Sequence, residues 1–209
     1  MGKIYIPGKE EFIKGIEKFE KYEKREAMYK VAKFLISHFW GEASDMADGL
    51  GVLLLTWNQA FYRYGSFDFD KLEKCINNNL EKLKKFRNRD ITTFSASDEL
   101  DVKSMFAEFM ESLQIASGKM KGRKSPVANA KALHLLAPGF FPIWDARIAK
   151  SYGCYYNNHP AEKYIRFMGV MKEFAEKVRG YVNLSNYQNK TLLKLIDEFN
   201  YSRYTKGWI

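Results

Sequence analysis

Apolar side chains recur every three or four positions along almost the whole chain, the signature of helices that each bury one face. Phe12, Ile13, Ile16 and Phe19, then Met28, Val31, Leu35 and Phe39, set this rhythm over residues 9–40. Gly15 and the charge cluster Lys21 to Glu26 divide that stretch into two helices, and Gly41 breaks it. Ser44 or Asp45 opens a strongly apolar helix through about Tyr64, ended by Gly65; its run Leu50 to Leu55 predicts burial on several sides. Asp70 opens the next, with Leu72, Ile76, Leu80, Leu83 and Phe86 on one face. After a turn at Arg87 to Asp90, Ser97 or Asp98 starts a helix bearing Val102, Met105, Phe106, Phe109 and Leu113.

Ser125 suits an N-cap and Pro126 the first helical position, while Pro138-Gly139 ends that helix. Asp145 caps a following helix that stops at Gly153, and His159-Pro160 introduces a long one through Arg179. A last helix covers roughly Asn189 to Asn200. No alternating run is long enough for a strand. The pattern predicts an all-α protein, one helical domain over residues 1–209. It packs as one body or as two lobes with a cleft, about 45–118 and 119–209, the N-terminal helices lying on one of them.

Of the 209 residues, 46% are hydrophobic and 16% aromatic, enough to fill one substantial core. No stretch approaches the roughly 20 apolar residues of a membrane span, and the start of the sequence lacks a signal-peptide pattern. A cytoplasmic protein with no membrane partner is expected. Cys75 and Cys154 match no metal or redox spacing, so free thiols, no metal and no cofactor are expected. Charge changes the picture more. Residues 1–118 carry 18 Lys/Arg against 19 Asp/Glu, whereas residues 119–209 carry 16 against 6. The whole net charge of +9 therefore lies in the second part, starting at Lys119, Lys121, Arg123 and Lys124. Such clustering is the footprint of a polyanion partner, although a lysine-rich solvated surface also produces it.

Just after that basic run, Lys131 stands on a mostly apolar helix, and Asp145 follows at the mouth of the next. A lysine and a carboxylate held together beside a cationic loop point to amine chemistry on an anionic polymer. A surface lysine and a plain helix cap are the alternatives.

Lys131 with its apolar helix, then Pro142-Ile143-Trp144-Asp145, resembles the core of the helix-hairpin-helix DNA glycosylases of the 8-oxoguanine type. The helix Leu53-Leu54-Leu55-Thr56-Trp57-Asn58-Gln59-Ala60-Phe61 is similar to the one that lines their lesion pocket, so the likeness spans about residues 45–155. Val127 and Asn129 stand where the family has hairpin glycines, the interval from Lys131 to Asp145 is shorter, and Trp144 is an extra residue.

The resemblance implies a repair enzyme that removes a damaged base from duplex DNA by cleaving the N-glycosidic bond, with Lys131 as nucleophile in a Schiff-base lyase step. A carboxylate, Asp145, steadies the positive sugar. Trp57, Asn58 and Gln59 are suited to stacking on a flipped base and reading its edge, and His134 meets Lys131 one turn along. In the bland reading Trp57 and His134 are core and the amides are caps. Lys119, Lys121, Arg123, Lys124 and the open helix start at Ser125 are the DNA-binding candidates. Tyr201, Tyr204 and Trp208, interleaved with Arg203 and Lys206, either stack on nucleic acid or dock onto the body. The competing function is a non-catalytic helical DNA-binding or interaction protein.

Overall fold

The structure, a computed structural model, describes residues 5–187 and 190–209. Ten α-helices run in order: α1 (Lys9–Tyr22), α2 (Ala27–His38), α3 (Ala43–Trp57), α4 (Gln59–Tyr62), α5 (Phe69–Arg87), α6 (Glu99–Ser112), α7 (Pro126–Leu136), α8 (Ala146–Ser151), α9 (Pro160–Val178) and α10 (Leu192–Asn200). No strand occurs among the described residues, and none of their helices is long and apolar enough to cross a membrane.

Caps set several of these bounds. Ser125 accepts the Ala128 N–H, and Asp68, one turn before the expected Leu72 face, accepts that of Lys71. Ser95 and Asp98 form a reciprocal capping box ahead of α6. The last helix begins at Leu192, capped by Thr191, not at residue 189, which lies outside the described residues. Helix α10 then continues into a π-helical turn over Tyr201–Thr205.

The helix expected to run unbroken to Tyr64 stops at Trp57. Asn58 leaves helical geometry, with φ −113° and ψ 27°, and both Phe61 and Tyr62 donate their N–H groups to its carbonyl. The Trp57 carbonyl is thereby released from the helical ladder, and the break falls at the candidate site.

Helix α2 packs along α3, α3 on α5, α5 on α6, α6 on α9 and α1 on α10. Helix α7 touches α2, α3 and α6, and this central place explains its composition. Ala128 to Ala130 and Ala132 to Leu136 are all buried, so Lys131 is the one charged side chain on a helix enclosed nearly all round. Phe106, Trp144, Tyr164 and Phe167 form an aromatic cluster behind it. Buried hydrophobic residues from every α-helix join one connected cluster.

Candidate functional site

Two neighbouring cavities meet at Trp57, Lys131 and Asp145. The inner one, about 320 Å³, is walled by Phe19, Trp57 and Tyr201 and by the carboxylates of Glu23, Glu26, Asp145 and Asp197. Its two cations are Lys131 and Lys194. The outer one, about 400 Å³, opens toward Asn58, Phe61, Ser125 and Arg147.

The half-buried Lys131 reaches the end of α3 from α7. Its Nζ donates to the released Trp57 carbonyl at 3.1 Å and to Asn58 Oδ1 at 2.7 Å, and lies 5.6 Å from the centre of the Trp57 ring. Burial pulls the amine down to about 8, against the opposing charges of Asp197 and Asp145. At pH 7 roughly a tenth of it is therefore neutral, where an ordinary lysine is neutral to less than about one part in a thousand. Trp57 is fixed from its other side by Tyr29, stacked at 5.5 Å and 11°.

Asp145 is immobilised through both oxygens. Oδ1 accepts the Ile148 N–H at 2.7 Å, capping α8, and Oδ2 accepts the Thr205 hydroxyl at 2.8 Å. The π-helical turn brings Thr205 into this position, and Arg147 donates to the Thr205 carbonyl. The cap alternative for Asp145 is thus realised, yet its carboxylate still faces both cavities, and among the described residues it forms no ion pair with Lys131.

Beneath the inner cavity, α10 presents Lys194, Asp197 and Glu198 on one face. Lys194 Nζ lies 2.7 Å from Glu26, 3.2 Å from Glu198 and 3.6 Å from Asp197, and its side chain is 1% exposed. Burial opposes its charge, but the three carboxylates outweigh that and hold it above its ordinary value. The pairs with Glu26 and Glu198 are close without being aligned as hydrogen bonds. Burial pushes Asp197 up to about 7 and also raises Glu198. Glu26 itself adopts left-handed backbone geometry at φ 38°, unusual for a side-chain-bearing residue and typical of sites held by their surroundings.

The other expected residues divide. His134 joins no cavity: it is 1% exposed, with Nε2 3.0 Å from the Tyr29 hydroxyl and Nδ1 2.8 Å from the Phe141 carbonyl. A carbonyl only accepts, so Nδ1 carries the proton and Nε2 accepts from Tyr29. Burial pulls its titration down to about 3, and the residue acts as a core bridge. Gln59 is exposed and lines neither cavity, whereas Asn58 holds Lys131 and donates to Ser125 at 3.3 Å. Lys119, Lys121, Arg123 and Lys124 are exposed on the loop leading to Ser125, Lys124 pairing with Glu111. The aromatics after Asn200 dock on the body: Tyr201 packs on Phe19, Tyr22 on Trp208, and Ser202 donates to the Gly15 carbonyl.

Sequence reading missed Glu23, Glu26, Lys194 and Asp197. The available signal was three charges at 194, 197 and 198 within a segment otherwise apolar enough to be core. Among the described residues no group of three His, Cys, Asp or Glu is placed to hold a metal ion. No family model, curated protein or solved structure matches this chain.

Proposed function

We propose that this protein is a DNA repair glycosylase that releases a damaged base, with Lys131 as the nucleophile and Asp145 as the fixed counter-charge of the sugar. One observation carries the reading. A lysine of lowered basicity shares a cavity with an immobilised carboxylate and three aromatic walls. The inner volume of about 320 Å³ lies at the small end of ligand pockets, which suits a single base swung out of the duplex. Trp57, Phe19 and Tyr201 offer the base stacking surfaces. As the N-glycosidic bond stretches, positive charge grows on the sugar beside the carboxylates, and the neutral Lys131 amine attacks the anomeric carbon. The exposed cations from Lys119 to Arg123 stand on the loop leading to Ser125, which lines the outer cavity, and suit the DNA backbone.

The test is borohydride trapping with duplexes carrying oxidised, deaminated or alkylated bases. A covalent protein–DNA adduct is expected, lost in Lys131→Gln with DNA affinity retained. Asp145→Asn should slow base release by about 10²–10³, since Asn still caps α8 but carries no charge. Neither base release nor adduct across the panel would instead favour the non-catalytic DNA-binding reading. The hydrogen bonds from Lys131 to the end of α3 would then be its whole role.

A further inference from the structure

We infer that Asp197 is the acid that protonates the departing base, a role separate from that of Asp145; this rests on the glycosylase reading above. Both carboxylates line the inner cavity with Lys131, but their surroundings differ. Asp145 uses both oxygens to accept hydrogen bonds, from a backbone N–H and from Thr205, which fixes its orientation in the cavity wall. Asp197 accepts no side-chain hydrogen bond among the described residues. Its one close partner is Lys194 at 3.6 Å, which Glu26 and Glu198 approach more closely.

The balance of charges enforces the division. Around Asp197 stand Lys194 and Glu198 on its own helix, Asp145 from the start of α8, Glu26 from the turn before α2, and Lys131 from α7. Glu23 and the Tyr201 hydroxyl face the same cavity. Even with Lys190 beside Glu198 and Lys206 4.0 Å from Glu23, four lysines face five carboxylates, a shortfall that favours keeping a proton within the cluster near neutral pH. Glu198 is a poor place for useful chemistry, being 0% exposed, held by Lys190 at 2.9 Å and outside the cavity wall. Asp197 is 11% exposed and faces the cavity, and burial keeps its acid form populated at pH 7. Two carboxylates in unlike surroundings, one fixed by hydrogen bonds and one buried without them, are the usual arrangement for pairing a charge stabiliser with an acid.

The step balances. The Lys131 nitrogen forms a bond to the anomeric carbon while the bond to the base breaks, its electron pair leaving with the base. Asp197 gives its proton to that base nitrogen, and the base departs neutral. The resulting Asp197 carboxylate then takes the proton shed by the newly formed ammonium of Lys131, which restores the acid.

The experiment compares wild type with Asp197→Asn on two probes at single turnover. One is a duplex with a pre-formed abasic site, trapped with borohydride, which needs the amine but has no base left to protonate. The other is a set of duplexes carrying 8-oxoguanine, hypoxanthine or uracil. Asp197→Asn should lose far less of the trapping at the abasic site than of the base release. It should release the base about 10²–10⁴ times more slowly. Wild type needs Lys131 neutral and Asp197 protonated, so its rate should be bell-shaped in pH with a maximum between the two titrations, whereas Asp197→Asn should keep the rise with pH and lose the fall beyond the maximum, and Asp197→Glu should restore much of the rate. Equal loss on both probes would reduce Asp197 to a structural role, and unchanged base release would overturn the assignment. Wild type that fails to trap at the abasic site defeats the glycosylase reading itself. Base release by wild type that Asp197→Asn leaves unchanged defeats only the acid.

Discussion

Replacing His134 by Asn should remove a pH-dependent part of the stability whose size follows from its surroundings. The folded chain keeps the ring neutral, with a titration pulled down to about 3, whereas the unfolded chain titrates near 6.5. Below about pH 6.5 the unfolded state therefore binds a proton that the folded state refuses, and stability falls as the pH drops. Between pH 7 and pH 4.5 this contributes a loss of about 2.5 kcal/mol, an average of about 1 kcal/mol per pH unit.

The shorter amide of His134→Asn would keep a donor toward the Phe141 carbonyl but would leave the Tyr29 hydroxyl without its acceptor, together with a small void. That costs about 2–3 kcal/mol at pH 7. Wild type should therefore be more stable than His134→Asn by that amount at pH 7, and nearly equal to it at pH 4.5. Urea unfolding at the two pH values measures both differences. Asp197 titrates in the opposite sense, its raised value adding stability on acidification, but it is common to both chains and cancels. A stability gap that stays constant between pH 7 and 4.5 would refute the neutral, buried assignment of His134.

Asn58→Ala removes the acceptor 2.7 Å from the Lys131 ammonium, so the amine should give up its proton more readily. The pH midpoint of borohydride trapping is expected to move below about 8, with a stability cost of about 1–3 kcal/mol seen in thermal melts. Asp98→Ala should cost about 3 kcal/mol in denaturant unfolding. The carboxylate is 2% exposed, covered by its own partners, with both oxygens 2.8 Å from Arg89 and the Ser95 N–H at 3.0 Å. Because Arg89 above all holds that carboxyl well below its ordinary value, its contribution is present above about pH 4 and fades as pH falls further. Replacing Lys119, Lys121 and Arg123 with Ala should lower the slope of log DNA affinity against log salt by about 0.9 for each phosphate no longer neutralised. Fluorescence anisotropy with a labelled duplex reads this, and an unchanged slope removes the loop from the interface.

The helical order was legible because apolar spacing, capping residues and Pro or Gly stops all report short-range physics. Ser125-Pro126, His159-Pro160 and Gly153 each mark an element end within a residue or two. Lys131 stood out for the same reason, as a lone charge in an apolar helix. The break at Asn58 was not legible, because the group that partners the Asn58 amide and the freed Trp57 carbonyl is a lysine 73 residues beyond Asn58. His134 failed in the opposite way. Its spacing from Lys131 placed it one helical turn along, but α7 is buried on nearly every side, so sharing a helix did not mean sharing a cavity. The acidic half of the site was hidden because neither α1, α2 nor α10 carries a motif. Their charges acquire meaning only when the helices meet.

That meeting has a consequence for how the site comes into being. Tyr201 and Glu23 touch across 178 residues of sequence, and the inner cavity takes walls from both regions. During synthesis Glu23, Glu26, Lys131 and Asp145 all leave the ribosome before the segment that gives them Lys194 and Asp197. Until then Glu26 lacks the cation it approaches, and the Lys131 amine lacks its enclosing wall. The inner cavity is thus a property of the closed chain alone. Such long-range closure is slow relative to the local helices, which form first and wait. A ribosome stalled before residue 190 therefore displays a nascent chain that lacks Lys194, Asp197 and Tyr201, and with them one side of the inner cavity.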